Sequence, residues 1–197
     1  MLDRRDFVKE LLVDRGELLV VSGLGSATYD TAAAGDHPLN FYLWGAMGGT
    51  AMIGLGLALA QPNRRVAVLT GDGDMLMGIG SLATIGVKQP RNLAIVVLDN
   101  AHYGETGMQP SATKFGIDLV ATALACRFEQ ARAVSRIEEA AGVRDLLHSG
   151  EGPILVSARI KEEDVPRVLP IRDGHVNKQR FIEALDPDPI KLKRIRV

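Results

Sequence analysis

The sequence contains one cysteine, Cys126, in 197 residues. No disulfide can form within the chain, which fits a reducing cytoplasm. Cys126 lies in the apolar stretch ATALACRFEQA, where a thiol reads as a small buried hydrophobe rather than a nucleophile. Charge of one sign is also lacking: 23 Lys and Arg face 24 Asp and Glu, for a net charge of -1. That balance gives no electrostatic case for nucleic acid or an anionic membrane as partner. Aromatic residues are few, at 5%. The opening MLDRRDFVKELL mixes charges at helical spacing and lacks an apolar h-region, so no signal peptide is expected. The longest apolar stretch, WGAMGGTAMIGLGLALAQP, is short for a membrane span, crowded with glycine and followed by Pro62 and Arg64. A tightly packed buried helix over 46–60 is the expectation there. No internal repeat or low-complexity segment is present.

What the chain does have is glycine, 21 residues of it, many within the first 110 positions. It also has short, continuous apolar runs alternating with helical patterns. Strands are expected at 17–22, 40–44 (short), 65–70, 92–98 and 152–160. Helices are expected at 3–15, 26–35, 46–60, 74–88, 115–125 and 135–149. Apolar strands without alternation belong in a parallel sheet covered on both faces. The fold class is therefore α/β, a mostly parallel sheet with helices on both faces, over residues 1–160. After residue 161 the character changes to charged residues, four prolines and one plausible helix at 177–185. Residues 161–197 read as a tail that packs on a neighbour or is partly loose. The basic end KLKRIRV suits an interface or a solvated tail better than a nucleic-acid site.

Two segments carry chemistry. LTGDGDMLM, 69–77, places Asp72 inside a glycine turn directly after a strand. LDNAHYGETGMQP, 98–110, closes the next parallel strand with Asp99-Asn100. Ligands of open α/β sheets bind at the carboxyl ends of strands. Gly71 and Gly73 permit a sharp turn and close approach to a ligand. A helix starting near Asp74 would aim N–H groups at the turn, which suits phosphate. Asp72 alone would repel phosphate. A divalent cation resolves the conflict, with a carboxylate from Asp72, an amide oxygen from Asn100 and diphosphate oxygens around Mg²⁺. Singly, Gly-Asp-Gly is a common turn, Asp72 could cap the helix and Asn100 could occupy a turn; on two neighbouring strand ends they reinforce each other. A Rossmann nucleotide site is disfavoured, because GLGSAT, 23–28, lacks the third glycine and no acidic residue ends the next strand.

Gly71-Asp72-Gly73, 25 intervening residues and Asp99-Asn100 resemble the thiamine-diphosphate motif, Gly-Asp-Gly followed by Asn-Asn. The departure is Asp99 at the first Asn. The resemblance covers roughly residues 17–160 and implies that Asp72, Asn100 and the backbone carbonyl of His102 bind Mg²⁺. It implies that Gly73, Asp74, Tyr103 and Gly104 approach the diphosphate. LWGAMGGTAMIGLGLALA is similar to the segment that holds the cofactor bent, with Met47 beneath it and Gly45, Ala46 and Met47 beside the aminopyrimidine. SGLGSA, with Gly23, Leu24 and Gly25, matches the first cofactor loop less specifically.

Full-length members of this family carry a second, pyrimidine-side domain with a catalytic Glu. No Glu here stands in that context. The resemblance therefore implies one subunit of a split enzyme, with a partner subunit bringing the Glu, an assembly of α₂β₂ or larger and the cofactor at the interface. The run Asp99-Asn100-x-x-Tyr103-Gly104-x-Thr106-Gly107-x-Gln109-Pro110 is similar to that of the sulfopyruvate and phosphonopyruvate decarboxylases. It implies decarboxylation of a small anionic 2-oxo acid. Glu105, unless paired, would disfavour such an anion. His102 admits two readings: a proton relay, or a ring exposed at a loop tip while only its backbone binds metal, the second being favoured. His37, His148 and His175 are expected at the surface or in turns. The alternatives are a carboligase subunit of acetolactate-synthase type and a non-catalytic cofactor-binding partner.

Overall fold

The computed structural model describes residues 1–163 and 165–185; the basic KLKRIRV end lies outside them. The chain runs α1 (Arg4–Leu12), β1 (Leu19–Ser22), α2 (Ser26–Ala33), β2 (Asn40–Tyr42), α3 (Thr50–Ala60), β3 (Val66–Gly71), α4 (Asp72–Met77), α5 (Ser81–Lys88) and β4 (Leu93–Asp99). A two-residue hairpin follows, β5 (His102–Tyr103) and β6 (Gln109–Pro110). Then come α6 (Leu119–Ala125), β7 (Gln130–Val134), α7 (Ala140–Ser149), β8 (Ile154–Arg159) and α8 (Gly174–Leu185).

Six strands form one parallel sheet in the order β2-β1-β3-β4-β8-β7. The continuous apolar strands serve both faces, because successive side chains point to opposite sides. Val20, Ala67, Leu69, Ala94, Val96 and Leu98 pack with Phe7, Leu11, Val143 and Leu147 of α1 and α7. Their immediate neighbours Leu19, Val21, Val66, Val68, Leu93, Ile95 and Val97 pack with Leu55, Leu82, Ile85 and Ala123 of α3, α5 and α6. Full burial of one such aliphatic side chain contributes about 1.5–3 kcal/mol. Strands so fully covered have no solvent face on which a one-residue slip could be tolerated.

Glycine lets the helices come close. A Cβ on Gly54 of α3 would lie 2.2 Å from Val68 Cγ2 of the sheet, and one on Gly86 of α5 would lie 1.6 Å from the Cys126 carbonyl oxygen. The small-residue helix is thus a helix–sheet contact, and among the described residues no helix is long and apolar enough to cross a membrane.

Several boundaries differ from expectation. The helix expected over 46–60 starts only at Thr50, because Ala46 and Gly48 have φ of +60° and +90° and form a turn. The helix expected over 74–88 is two helices, broken at 78–80. A Cβ on Gly78 would sit 2.0 Å from the Gly48 carbonyl oxygen, so the break follows from a long-range backbone contact. β7 was not expected: it is an edge strand, largely exposed, with a polar pattern of Gln and Arg. In the 115–125 stretch, residues 112–115 form a 3-10 turn and α6 begins only after Asp118, which caps it from its side chain.

Residues 161–163 and 165–173 run without regular structure, and α8 then packs on the β2 edge of its own sheet. Phe181 packs on Phe41 with the rings tilted by 51° and 5.3 Å between centroids, and Asn177 Nδ2 donates to the Tyr42 carbonyl at 3.0 Å. Arg180 pairs with Asp36 at 2.6 Å.

Gly86→Ala tests the close approach. Alanine gains about 1 kcal/mol of helix propensity, while overpacking costs about 1–3 kcal/mol. A contact with fixed backbone lies at the costly end of that range. The expected result is a lower thermal midpoint, by about 2–4 °C per kcal/mol for a chain of this size; an unchanged or raised midpoint would contradict the packing.

Candidate functional site

The sheet order reverses between β1 and β3, and ligand sites of such sheets lie beyond the strand ends at that point. A cavity of about 330 Å³ opens there. Leu24 after β1, Gly71, Asp72, Gly73 and Asp74 after β3, and Asn100, His102, Tyr103 and Gly104 after β4 all line it, as does Met47. Met77, Leu98, Glu105 and Ile160 are among the other residues of its walls. Gly45 and Ala46 belong to the Met47 turn but do not line the cavity. Gly23 and Gly25 pack behind it, where a Cβ would come within 2.6 Å of Asp74 Oδ2 and 2.8 Å of Glu105 Cγ respectively.

Gly73 sits between two large side chains. A Cβ there would lie 2.6 Å from the Tyr103 ring and 3.3 Å from Met47 Cε. The turn residue is therefore set by packing as well as by turn geometry.

The aspartates of the Gly-Asp-Gly-Asp turn do different work. The Asp74 carboxylate accepts from the Gly48 N–H and from the hydroxyls of Thr50 and Thr70. Both its oxygens are committed to protein donors, so only its backbone is left for a diphosphate. Asp72 is 1% exposed. Its protein donors are neutral, the hydroxyls of Ser111 and, at 3.4 Å, Thr113, and both fall on Oδ2. Burial, and after it the Asp99 charge, hold its carboxyl above the ordinary carboxylate value, against the Ser111 hydrogen bond. A helix of six residues begins at Asp72 without a side-chain cap, so the capping reading of Asp72 does not hold.

Asn100 Oδ1 accepts the His102 N–H at 2.9 Å, and Asp99 Oδ1 accepts the Ala101 N–H at 2.9 Å. Between them Ala101 takes φ +62° and is fully buried. These side-chain turns bend the chain back into the hairpin. Asp99 also meets Arg159 Nη1 at 3.2 Å and Thr113 Oγ1 at 2.8 Å.

The His102 ring is not exposed at a loop tip. It is 8% exposed, with Nδ1 2.8 Å from the Asn100 carbonyl oxygen and Nε2 3.1 Å from Glu162 Oε1. The partner is in the segment after β8, which local pattern could not reveal. Glu105 is paired likewise, 3.4 Å from Arg167 Nη2, and Arg167 also lies over the Tyr29 ring at 5.6 Å. The electrostatic objection to an anionic substrate is thereby weakened. Ser111, Thr113, Arg159 and Arg167 were missed by sequence reasoning, since each is brought in by tertiary contact alone.

Among the described residues no cluster of three or more His, Cys, Asp or Glu could hold a metal. A cation here would use one carboxylate, Asp72, with amide and carbonyl oxygens and a ligand's own oxygens. That donor set is the hard-oxygen type that suits Mg²⁺. The buried, incompletely balanced Asp72 is the observation that fits it.

The parallel α/β sheet thus carries, at its strand ends, a cavity with an acid-bearing floor and an apolar wall. Residues 23–158 match the thiamine pyrophosphate enzyme family, C-terminal TPP binding domain, and the chain belongs to this family. It is 33% identical over 183 residues to the sulfopyruvate decarboxylase subunit beta of Methanocaldococcus jannaschii, covering 92% of this chain and 96% of that one. It is 38% identical to the subunit of the same name from Methanothermobacter thermautotrophicus, covering 94% and 96%. Against the phosphonopyruvate decarboxylase of Streptomyces viridochromogenes it is 36% identical over 77% of this chain and 39% of that one. A solved structure assigned as a thiamin diphosphate-dependent enzyme from Mycobacterium smegmatis shares the fold, with a TM-score of 0.65 at 20% identity, over 80% of this chain and 32% of that one.

The raised Asp72 carboxyl gives a signed expectation. The folded state holds its proton more tightly than the unfolded state, so this contribution favours folding below the ordinary value of 3.8. It is lost as pH rises through the folded value. At neutral pH, without metal, Asp72→Asn should therefore raise the thermal midpoint, and the gain should vanish in acid. A midpoint lowered at neutral pH would contradict the uncompensated charge.

Proposed function

We propose that this chain is the diphosphate-anchoring subunit of a split thiamine-diphosphate-dependent decarboxylase acting on a small anionic 2-oxo acid of the sulfopyruvate or phosphonopyruvate kind. The carrying observation is the single cavity that gathers Asp72, Asn100, Gly73, Tyr103 and Met47 at the ends of β3 and β4. End-to-end similarity to β subunits named for sulfopyruvate decarboxylase supports the split arrangement.

When bound, thiamine diphosphate supplies the electron sink for loss of CO₂ from a 2-oxo acid. The residues of this chain bind and orient it. Asp72 and the Asn100 amide oxygen, with the His102 carbonyl, would hold Mg²⁺ against the diphosphate. The N–H groups of the Gly71–Asp74 turn would face the phosphate oxygens. Met47, at the tip of its strained turn, would support the cofactor from beneath, and Leu24, Leu98 and Ile160 would keep water from its apolar parts. Arg167 offsets the Glu105 charge at the mouth, so an anionic acid is not repelled. The catalytic Glu would come from a pyrimidine-side partner in an α₂β₂ or larger assembly.

Calorimetric titration with thiamine diphosphate and Mg²⁺, with and without the candidate partner subunit, tests this reading. Tight binding in the mixture, followed by CO₂ release from 2-oxo acids, is expected. Asp72→Ala should abolish the Mg²⁺-dependent binding while the chain stays folded. Binding to neither form would favour a non-catalytic role, and product formed only with an added acceptor carbonyl would favour a carboligase.

A further inference from the structure

Ser111 is fully buried, although it lies in a connecting segment. Its backbone N–H is held by the Ala101 carbonyl at 2.8 Å, next to the β5–β6 hairpin. This fixes where its hydroxyl stands, and that hydroxyl contacts Asp72 Oδ2. Thr113, in the next 3-10 turn, places Oγ1 2.9 Å from Ser111 Oγ and 2.8 Å from Asp99 Oδ1. Each hydroxyl carries one proton. With the Thr113 proton on Asp99, which Arg159 and the Ala101 N–H also hold in place, the Ser111 proton is left for Asp72. The two oxygens of Asp72 are therefore unequal: Oδ2 is capped, and Oδ1 receives neither hydroxyl.

We propose that Ser111, its proton left for Asp72 because Thr113 gives its own to Asp99, sets the metal preference of the site, by capping one oxygen of Asp72, restricting it to one-oxygen ligation and so favouring Mg²⁺ over Ca²⁺. The proposal rests on the metal reading of Asp72 given above. Ca²⁺ takes six to eight oxygens and readily uses both oxygens of a carboxylate, whereas Mg²⁺ takes six in a tight octahedron and is satisfied by one. A carboxylate with one oxygen hydrogen-bonded and its plane held by a rigid hydroxyl cannot swing to offer both. Ser111 and Thr113 are positioning residues here: they act on the cation through Asp72 and touch neither cofactor nor substrate. Outer-shell groups of this kind affect metal affinity about 10–100-fold.

The test is metal binding rather than turnover. At saturating thiamine diphosphate, the Kd values for Mg²⁺ and Ca²⁺ are measured by calorimetry on whichever assembly binds the cofactor. Wild type should prefer Mg²⁺. Ser111→Ala should shrink that preference about tenfold, mainly by tightening Ca²⁺. Thr113→Val should move the ratio the same way by less, and Thr113→Ser, which keeps the hydroxyl, should restore it. A ratio cancels a uniform loss of binding, so general destabilisation does not mimic the result. An unchanged ratio in Ser111→Ala overturns the proposal while leaving Asp72 as ligand; if that variant does not fold, an unchanged ratio in Thr113→Val does so. A wild type that binds the cofactor without metal would instead overturn the Asp72 assignment, and this inference with it.

Discussion

The geometry of the cavity hangs on the Asp74 carboxylate. It receives the Gly48 N–H and the Thr50 hydroxyl from the start of α3, and the Thr70 hydroxyl from the end of β3. A buried carboxylate left without such donors would be costly, and donors left without it would each cost about 1–3 kcal/mol. The three bonds therefore act as one clamp between two strand-to-helix connections. They hold Ala46 and Gly48 in left-handed conformations, which non-glycine residues rarely adopt. The clamp brings Met47 to the face of Gly73 and lays Gly48 against Gly78, which ends α4 and separates it from α5. One side chain thus fixes the wall, the floor and the helix break together.

Much of this was legible in the sequence and some of it could not be. The apolar runs within the strands expected at 65–70 and 92–98 announce strands covered on both faces, and the acids after them announce a strand-end site. The turn at 45–49 was hidden because its small apolar residues continue the helical pattern of 50–60. What breaks the pattern is a hydrogen bond that the Gly48 N–H donates to a carboxylate 26 positions away. The break at 78–80 was hidden for the same reason. β7 escaped because an edge strand with an exposed, charged face has little apolar signal. The buried ring of His102 and the paired state of Glu105 depend on Glu162 and Arg167, in a segment whose composition reads as a tail.

That segment is more than an appendage to the sheet. Leu2, just before α1, bridges to Ile160, just after β8, with the Leu2 N–H on the Arg159 carbonyl at 3.0 Å. Beyond it, Arg5 reaches the Pro166 carbonyl, Trp44 Nε1 donates to the Ile171 carbonyl at 2.8 Å, and α8 covers the β2 edge. Arg5 also pairs with the buried Asp30, as does Arg4, each at 3.3 Å. Ile160, Pro166, Arg167 and Ile171 are thus tied to α1, to the β1–α2 side of the cavity and to the turn before Met47. Side chains that modify the charge of the cavity come from the same stretch.

The charge pattern around the cavity then distinguishes its carboxylates. Asp74 has both oxygens engaged by protein donors. Asp99 faces Arg159, and Glu105 faces Arg167. Of these four acids, Asp72 is the one buried among neutral donors with an oxygen outside their bonds. A motif read from sequence gives Asp72 and Asp74 equal standing, two acids in one glycine turn. The fold separates them by what each can reach from its side of the turn. Asp74 faces inward to the α3 connection and is consumed in structure. Asp72 faces the β4 side, where Ser111 supplies one proton, Thr113 gives its own to Asp99, and neither brings positive charge. The replacement of the motif's first Asn by Asp99 adds a negative charge to that side, and Arg159 at the end of β8 offsets it. Among the described residues, Asp72 thus keeps a buried carboxylate with no cationic partner and with both its hydroxyl contacts on one oxygen.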